Sequence, residues 1–219
     1  MPSKREIKAR NYLAKKNFSI FLLSVVIFIA LGLIVNSFIQ RKAKRILPVS
    51  KIISYNNISL SFINQHGQMR NDTSFNKKIR LIHFFHTGCT GICPLMSQSL
   101  KRVYNLFQHQ KNFYILSYSV DPEQDSIPVL KVYASKQNVT NDSWQFFTGK
   151  IKDIRDLAIK KYVIDTMPFP EIDQKMHLHS EYVILIDQKN QVRGIYNATD
   201  FIDVDRLIED LRLFFDQEQ

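Results

Sequence analysis

Leu81-Ile82-His83-Phe84-Phe85-His86-Thr87-Gly88-Cys89-Thr90-Gly91-Ile92-Cys93-Pro94-Leu95-Met96-Ser97-Gln98-Ser99-Leu100 is the stretch on which the reading of this chain turns, and it holds both of its cysteines. Its periodicity changes in the middle. Ile79 to Phe85 is a short, largely apolar run with an aromatic end, the pattern of a buried strand. From Pro94 onward, Met96, Leu100, Val103 and Phe107 recur at helical spacing. Cys89 and Cys93 therefore stand where a strand end becomes a helix start. Gly88 and Gly91 loosen the turn, and Pro94 suits the first helical position because its missing N–H has no partner there anyway.

That placement has chemical consequences. The free N–H groups and positive dipole end of a helix favour the thiolate of a nearby cysteine. Thiolate is the form that binds soft metals and attacks disulfides. A strand–Cys-x-x-x-Cys-Pro–helix unit is thus a redox or metal site in outline. The bland alternative is a pair of structural cysteines, reduced in the core or joined in an inert bridge.

Outward from this unit, the N-terminus is very basic: Lys4, Arg5, Lys8, Arg10, Lys15 and Lys16 face a single acid, Glu6. Residues 17–40 carry no charge and are mostly Phe, Ile, Leu and Val. Such a run is long enough to cross a bilayer, which takes about 20 apolar residues in a helix. It exceeds the roughly 7–15 residues of a signal-peptide core, and no small-x-small cleavage pattern follows it. An uncleaved single-pass anchor is expected. Six basic residues precede the span, while Arg41, Lys42, Lys44 and Arg45 follow it, so the positive-inside bias modestly favours a cytoplasmic N-terminus. The chain then divides into a basic cytoplasmic segment (1–16), a transmembrane helix (17–40), a linker (41–57) and a folded domain (58–219). The expected location is the inner membrane, with the soluble domain in the periplasm, where disulfides form.

Charge narrows the partners. Residues 1–45 hold ten Lys/Arg and one acid, a net +9, and the remaining 20 basic and 19 acidic residues leave 46–219 at +1. The overall +10 belongs to the membrane flanks and gives no support to nucleic-acid binding by the domain.

Within the domain, Ile58 to Asn64 alternates as a strand, and Gln65-His66-Gly67-Gln68 reads as its turn. Phe113 to Val120 is a second strong strand, joined to the first cysteine-bearing unit as strand–helix–strand, which implies a parallel pair. Asp121-Pro122-Glu123-Gln124-Asp125 ends it, and Ile127 to Gln137 reads as a helix. Ile151, Ile154, Ala158 and Tyr162 mark another. Tyr182–Ile186 and Val192–Tyr196 form a hairpin, and Val204, Leu207, Ile208, Leu211 and Phe215 lie on one face of a closing helix.

This order resembles a thioredoxin-like domain, an α/β fold with a central mixed sheet flanked by helices. Thioredoxins carry a cis-proline before the penultimate strand, facing the cysteines. Here that segment is Met176-His177-Leu178-His179-Ser180, and Pro168 and Pro170 lie too far upstream. In such a fold a histidine from this segment would approach Cys89 and Cys93. Two thiolates and one imidazole suit Cu(I), a soft ion content with few ligands. Periodicity does not choose between His177 and His179, which are two apart and share a side in extended chain.

Phe84-Phe85-His86-Thr87-Gly88-Cys89-Thr90-Gly91-Ile92-Cys93-Pro94 resembles the signature of the Sco/SenC copper proteins. The likeness spans roughly Ile58 to Asp210. It includes Asn64-Gln65-His66-Gly67, Val120-Asp121-Pro122-Glu123, Asp125, Trp144, Thr148-Gly149, and His179-Ser180 followed by Leu185-Ile186-Asp187. The resemblance implies a membrane-anchored, thioredoxin-fold metallochaperone that helps assemble the copper site of cytochrome c oxidase. Copper would be held by Cys89, Cys93 and His179, because His179 and not His177 stands at the family's spacing. Asp121 would be a nearby acid of open role. Implied partners are the copper-bearing oxidase subunit and other copper carriers.

One departure is His86, where the family more often has an aromatic residue. It is either a strand-end histidine or a further ligand that, with Cys89, Cys93 and His179, would complete a tetrahedral zinc set. His66, His83 and His109 read as structural or solvent-facing. The rival function is a tethered thiol–disulfide oxidoreductase, in which Cys89 and Cys93 are the catalytic pair. A peroxiredoxin fits less well, for the Thr-x-x-Cys pattern with its supporting arginine is not evident. The anchor is testable: an alkaline phosphatase reporter fused after Gln219 should be active, and a mature N-terminus beginning after residue 30 would refute the uncleaved span.

Overall fold

The computed structural model describes residues 25–33, 59–161 and 181–216. Residues 1–46 and 47–219 form two separate compact units. In the first, residues 25–33 are helical (α1) and lie inside the charge-free run. The remainder of that run is outside the described residues. Among the described residues no helix is long and apolar enough to cross a membrane.

The second unit is built on β3, Ile79–Phe85, in which all seven residues are buried. A strand buried on both faces shows no polar alternation, which is why this run reads as continuously apolar. Around it stand β1 (Ser61–Asn64), β2 (Met69–Asn71), β4 (Phe113–Ser119), β5 (Trp144–Thr148), β6 (Tyr182–Ile186) and β7 (Val192–Asn197). They make one seven-stranded sheet in the order β2-β1-β5-β4-β3-β6-β7. The central strands β3, β4 and β5 run parallel, in the register Phe85↔Ser119 and Tyr118↔Phe147. The flanks are antiparallel: β1 on β5 and β2 on β1 at one side, β6 on β3 and β7 on β6 at the other.

Two cores follow from the two faces. Ile79, Leu81 and Phe85 join Met96, Leu100 and Val103 of α2 (Cys93–Phe107), Leu130 of α3 (Ile127–Lys136), and Val204, Leu207 and Leu211 of α5 (Phe201–Asp216). Ile82 and Phe84 face the other way, toward Phe62, Phe75, Phe147 and Ile154 of the short helix α4, Ile151–Asp156. A π-helical turn, Leu157–Lys161, follows α4. This is a mixed α/β fold with its sheet flanked by helices.

Two strands lie outside what periodicity reveals. β2 is three residues of polar edge strand, too short to carry an alternation. β5 is buried at all five positions although Gln145 interrupts its apolar run. The polar side chain is accommodated because Asn64 Nδ2 donates to its Oε1 at 3.3 Å and its Nε2 donates to the Asp142 carbonyl at 3.0 Å. Gln65, at the end of β1, takes the N–H of Phe146 at 2.9 Å. His83 is also buried: its Nδ1 lies 3.2 Å from Ser117 Oγ, to which Trp144 Nε1 donates at 3.0 Å. His66 and His109 are exposed.

Tyr196 lies over Gly194 on β7, so a Cβ at Gly194 would run into the Tyr196 ring. That ring cannot swing aside without breaking its 2.8 Å hydrogen bond to buried Asp210. Gly194→Ala is therefore expected to cost about 1–3 kcal/mol, the usual cost of overpacking. Urea unfolding of the two forms measures it.

Candidate metal and redox centre

The site stands at the carboxyl ends of parallel strands β3 and β4, the edge at which open α/β sheets generally bind ligands. Their pairing continues one step past the strands, with Val120 N–H donating to the Phe85 carbonyl at 2.8 Å. The chain then turns from β3 through His86 to Ile92 into α2. Cys89 N–H closes that turn on the His86 carbonyl at 3.3 Å.

Helix α2 begins with no side-chain cap. Its first N–H groups would otherwise be orphaned. The N–H of Cys93, its first residue, and those of Gly91 and Ile92 just before it point at the Cys89 sulfur instead. Cys89 is half-buried, and Cys93 is only 2% exposed in the α2 core.

The pair is electrostatically unequal. Burial pushes the Cys89 thiol up, but the thiol of Cys93 and the three N–H groups all donate to its sulfur and bring it below the ordinary 9.0. Burial pushes Cys93 up to about 12, and its hydrogen bond to Cys89 and the charges of Cys89 and Asp125 add to this, against a lowering contact from the His86 N–H. Of the two, Cys89 is the more readily ionised thiol and Cys93 the one that keeps its proton.

Asp125 is fully buried beneath the loop. Thr87 N–H donates to its carboxylate at 3.1 Å, and the hydroxyls of Thr87 and Ser119 donate to it as well. Tyr133 shares a 2.8 Å hydrogen bond with Ser97. Burial raises the Tyr133 pKa, the Ser97 contact lowers it, and the charges of Cys93, Cys89 and Asp125 push it further up. Nothing in the spacing of Thr87, Ser119 or Tyr133 marked them. Asp125 had a signal in the family likeness, without a role.

The structure thus brings Cys89 and Cys93 together. The His86 ring lies beside Gly88, with Nδ1 3.6 Å from the place a Gly88 Cβ would take. Asp121 engages the neighbouring turn through its backbone, N–H to Ser119 Oγ at 3.1 Å and carbonyl to Asp125 N–H at 2.9 Å. Among the described residues no three His, Cys, Asp or Glu side chains form a metal-holding group. His177 and His179 lie outside the described residues.

Two adjacent cysteines at a helix start, on a mixed sheet flanked by helices, define a thioredoxin-like fold. The family model described as SCO1/SenC matches residues 56–215. A SCO1 protein homolog of Bacillus subtilis (strain 168) is 30% identical over 163 residues, covering 73% of this chain and 83% of its own length. The chain belongs to the SCO1/SenC family. Among solved structures, BsSco is 25% identical with a TM-score of 0.58, covering 75% of this chain and 95% of that one. It is described as a member of the Sco family of cytochrome c oxidase assembly proteins with a disulfide switch. Arabidopsis thaliana ScoI, solved with copper bound, shares the fold at 20% identity and a TM-score of 0.55, covering 73% of this chain and 97% of that one.

The inequality of the cysteines has two measurable consequences. Iodoacetamide at neutral pH should label Cys89 first, and Cys89→Ser should abolish the fast phase that Cys93→Ser retains. Stability should respond to pH with opposite signs. The depressed Cys89 contributes stability that is present above 9.0 and lost as pH falls through its own lower value. The raised Cys93 keeps in the fold a proton the unfolded chain releases, so its contribution is lost as pH climbs from 9.0 toward about 12. Denaturant midpoints of Cys93→Ser should fall less over that alkaline window than those of the parent.

Proposed function

We propose that this chain is a membrane-anchored copper-binding assembly factor for the copper site of cytochrome c oxidase. Copper is its cargo, held by the thiolates of Cys89 and Cys93 and the imidazole of His179. The observation that carries this reading is the pairing of the Cys89 and Cys93 sulfurs, with the Cys89 sulfur seated on the N–H groups that lead into α2. Two adjacent soft sulfurs are a donor set that fits Cu(I). The copper bound by Arabidopsis ScoI and the oxidase-assembly role of the family to which BsSco belongs support the same reading.

The domain borders 1–16, 17–40, 41–57 and 58–219 belong to this proposal, with the charge-free span in the inner membrane and the copper domain in the periplasm. The partners are the copper-bearing oxidase subunit and other copper carriers. A second reading, thiol–disulfide exchange with partner cysteines, is favoured by the unequal pair, a half-exposed nucleophile beside a buried protonated thiol. The two alternate naturally, since a disulfide removes both metal-binding sulfurs at once.

Bathocuproine competition tests the ligand set on reduced and oxidised protein. The reduced form should hold Cu(I) and the disulfide form should lose it; equal affinities would exclude the cysteines as ligands. His179→Ala should abolish the high-affinity site with the Cys89–Cys93 couple intact. His177→Ala should lose only about 10-fold, the scale of a group that acts through a ligand. Full retention in His179→Ala would shift the function to thiol exchange.

A further inference from the structure

The turn after β3 and the turn after β4 leave the sheet side by side, and one side chain ties them together. Asp125 has no solvent exposure. Thr87 N–H is shared between its oxygens, at 3.3 Å to Oδ1 and 3.1 Å to Oδ2. The Thr87 hydroxyl donates to Oδ1 and the Ser119 hydroxyl to Oδ2. Its own N–H is held by the Asp121 carbonyl at 2.9 Å, and Asp121 N–H by Ser119 Oγ at 3.1 Å. Burying a carboxylate is costly unless hydrogen bonds compensate it, and here they converge from both turns. Two of these donors belong to Thr87, two residues ahead of Cys89, in the turn closed by Cys89 N–H on the His86 carbonyl.

We propose that Asp125 is a positioning residue that acts on the thiols through Thr87, holding the cysteine turn in the arrangement that keeps the two sulfurs convergent. It touches neither cargo nor client. The proposal rests on the reading of Cys89 and Cys93 as the working thiols and deepens it by naming what presets them. Ser119 anchors the carboxylate to β4, and Thr87 transmits the constraint. The clamped turn is the one in which the Cys93 thiol and the N–H groups of Gly91, Ile92 and Cys93 converge on the Cys89 sulfur, contacts that a disulfide would give up, so the clamp favours the dithiol. Releasing it weakens a site that depends on two preset sulfurs and shifts thiol–disulfide equilibrium toward the disulfide.

The test uses Asp125→Asn, Thr87→Val, Thr87→Ser and Ser119→Ala, each measured well below its own unfolding midpoint so that folding is not the readout. Asn puts an amide N–H₂ where one acceptor oxygen stood. Val removes the Thr87 hydroxyl at nearly constant volume, Ser keeps it, and Ser119→Ala deletes a donor to the same carboxylate from the other side. Cu(I) affinity by bathocuproine competition should fall about 10–100-fold in Asp125→Asn and about 10-fold in Thr87→Val, the range found for groups that orient ligands. Thr87→Ser should recover what Thr87→Val loses. Ser119→Ala should lower the unfolding midpoint with less than about a third of the Thr87→Val loss in affinity.

Equilibration with glutathione gives a copper-free readout. Protein disulfide and two glutathione thiols give protein dithiol and glutathione disulfide, with one S–S bond broken, one formed, and two electrons and two protons passing to the protein. The equilibrium in Asp125→Asn and Thr87→Val should move about tenfold toward the protein disulfide, a fall of about 30 mV in potential. A parent that neither binds Cu(I) nor cycles its disulfide overturns the reading of the dithiol and the clamp with it. A competent parent matched by Thr87→Val and Asp125→Asn in both assays overturns the clamp alone. So does an affinity loss in Ser119→Ala equal to that in Thr87→Val, which would mean loosening of the carboxylate rather than transmission through Thr87.

Discussion

β3 is enclosed on every side. β4 and β6 take its backbone hydrogen bonds, and both of its faces are sealed, by α2, α3 and α5 on one and by the β1–β5 aromatics and α4 on the other. A strand in that position has no freedom of register, because a slip by one residue would exchange the two faces and put Leu81 and Phe85 where Ile82 and Phe84 belong. The point at which the chain leaves the sheet, after Phe85, is fixed by the same packing. The cysteine turn inherits its position from a strand that cannot move.

From that fixed exit, two polar arrangements make chemistry out of a turn. An uncapped helix start is ordinarily a defect to be filled by Ser, Thr, Asp or Asn. At the entry to α2 the Cys89 sulfur receives the N–H groups of Gly91, Ile92 and Cys93, so satisfying the backbone and favouring a thiolate are one event. The buried Asp125 carboxylate adds negative charge on the side of Cys93, where it opposes a second thiolate in the metal-free protein. Two identical side chains four positions apart thus become unequal acids, Cys89 the more readily ionised and Cys93 the proton holder. A soft cation would remove this opposition, since its positive charge stabilises both thiolates together.

Much of the architecture was legible in the chain. Ile79–Phe85 and the hairpin Tyr182–Ile186/Val192–Tyr196 read as strands because their branched and aromatic residues are contiguous. α2 and α5 read as helices because their buried residues keep a 3.6-residue period. β5 did not read, since Gln145 is tolerable in a buried strand only when Asn64 and the Asp142 carbonyl are already beside it. The site divides similarly. Cys89, Cys93 and Pro94 announce a thiol centre by spacing, whereas Thr87 and Ser119 are ordinary hydroxyl residues until Asp125, far from Thr87 in sequence, is folded between them.

By itself, then, the sequence determined the family, the strand–Cys-x-x-x-Cys-Pro–helix unit and the order of its elements, because local periodicity and short motifs are properties of neighbouring residues. Tertiary structure alone decided which cysteine ionises more readily and what surrounds it. Burial, helix N–H direction and a buried countercharge depend on groups brought together from separate turns, and chain spacing carries no record of them.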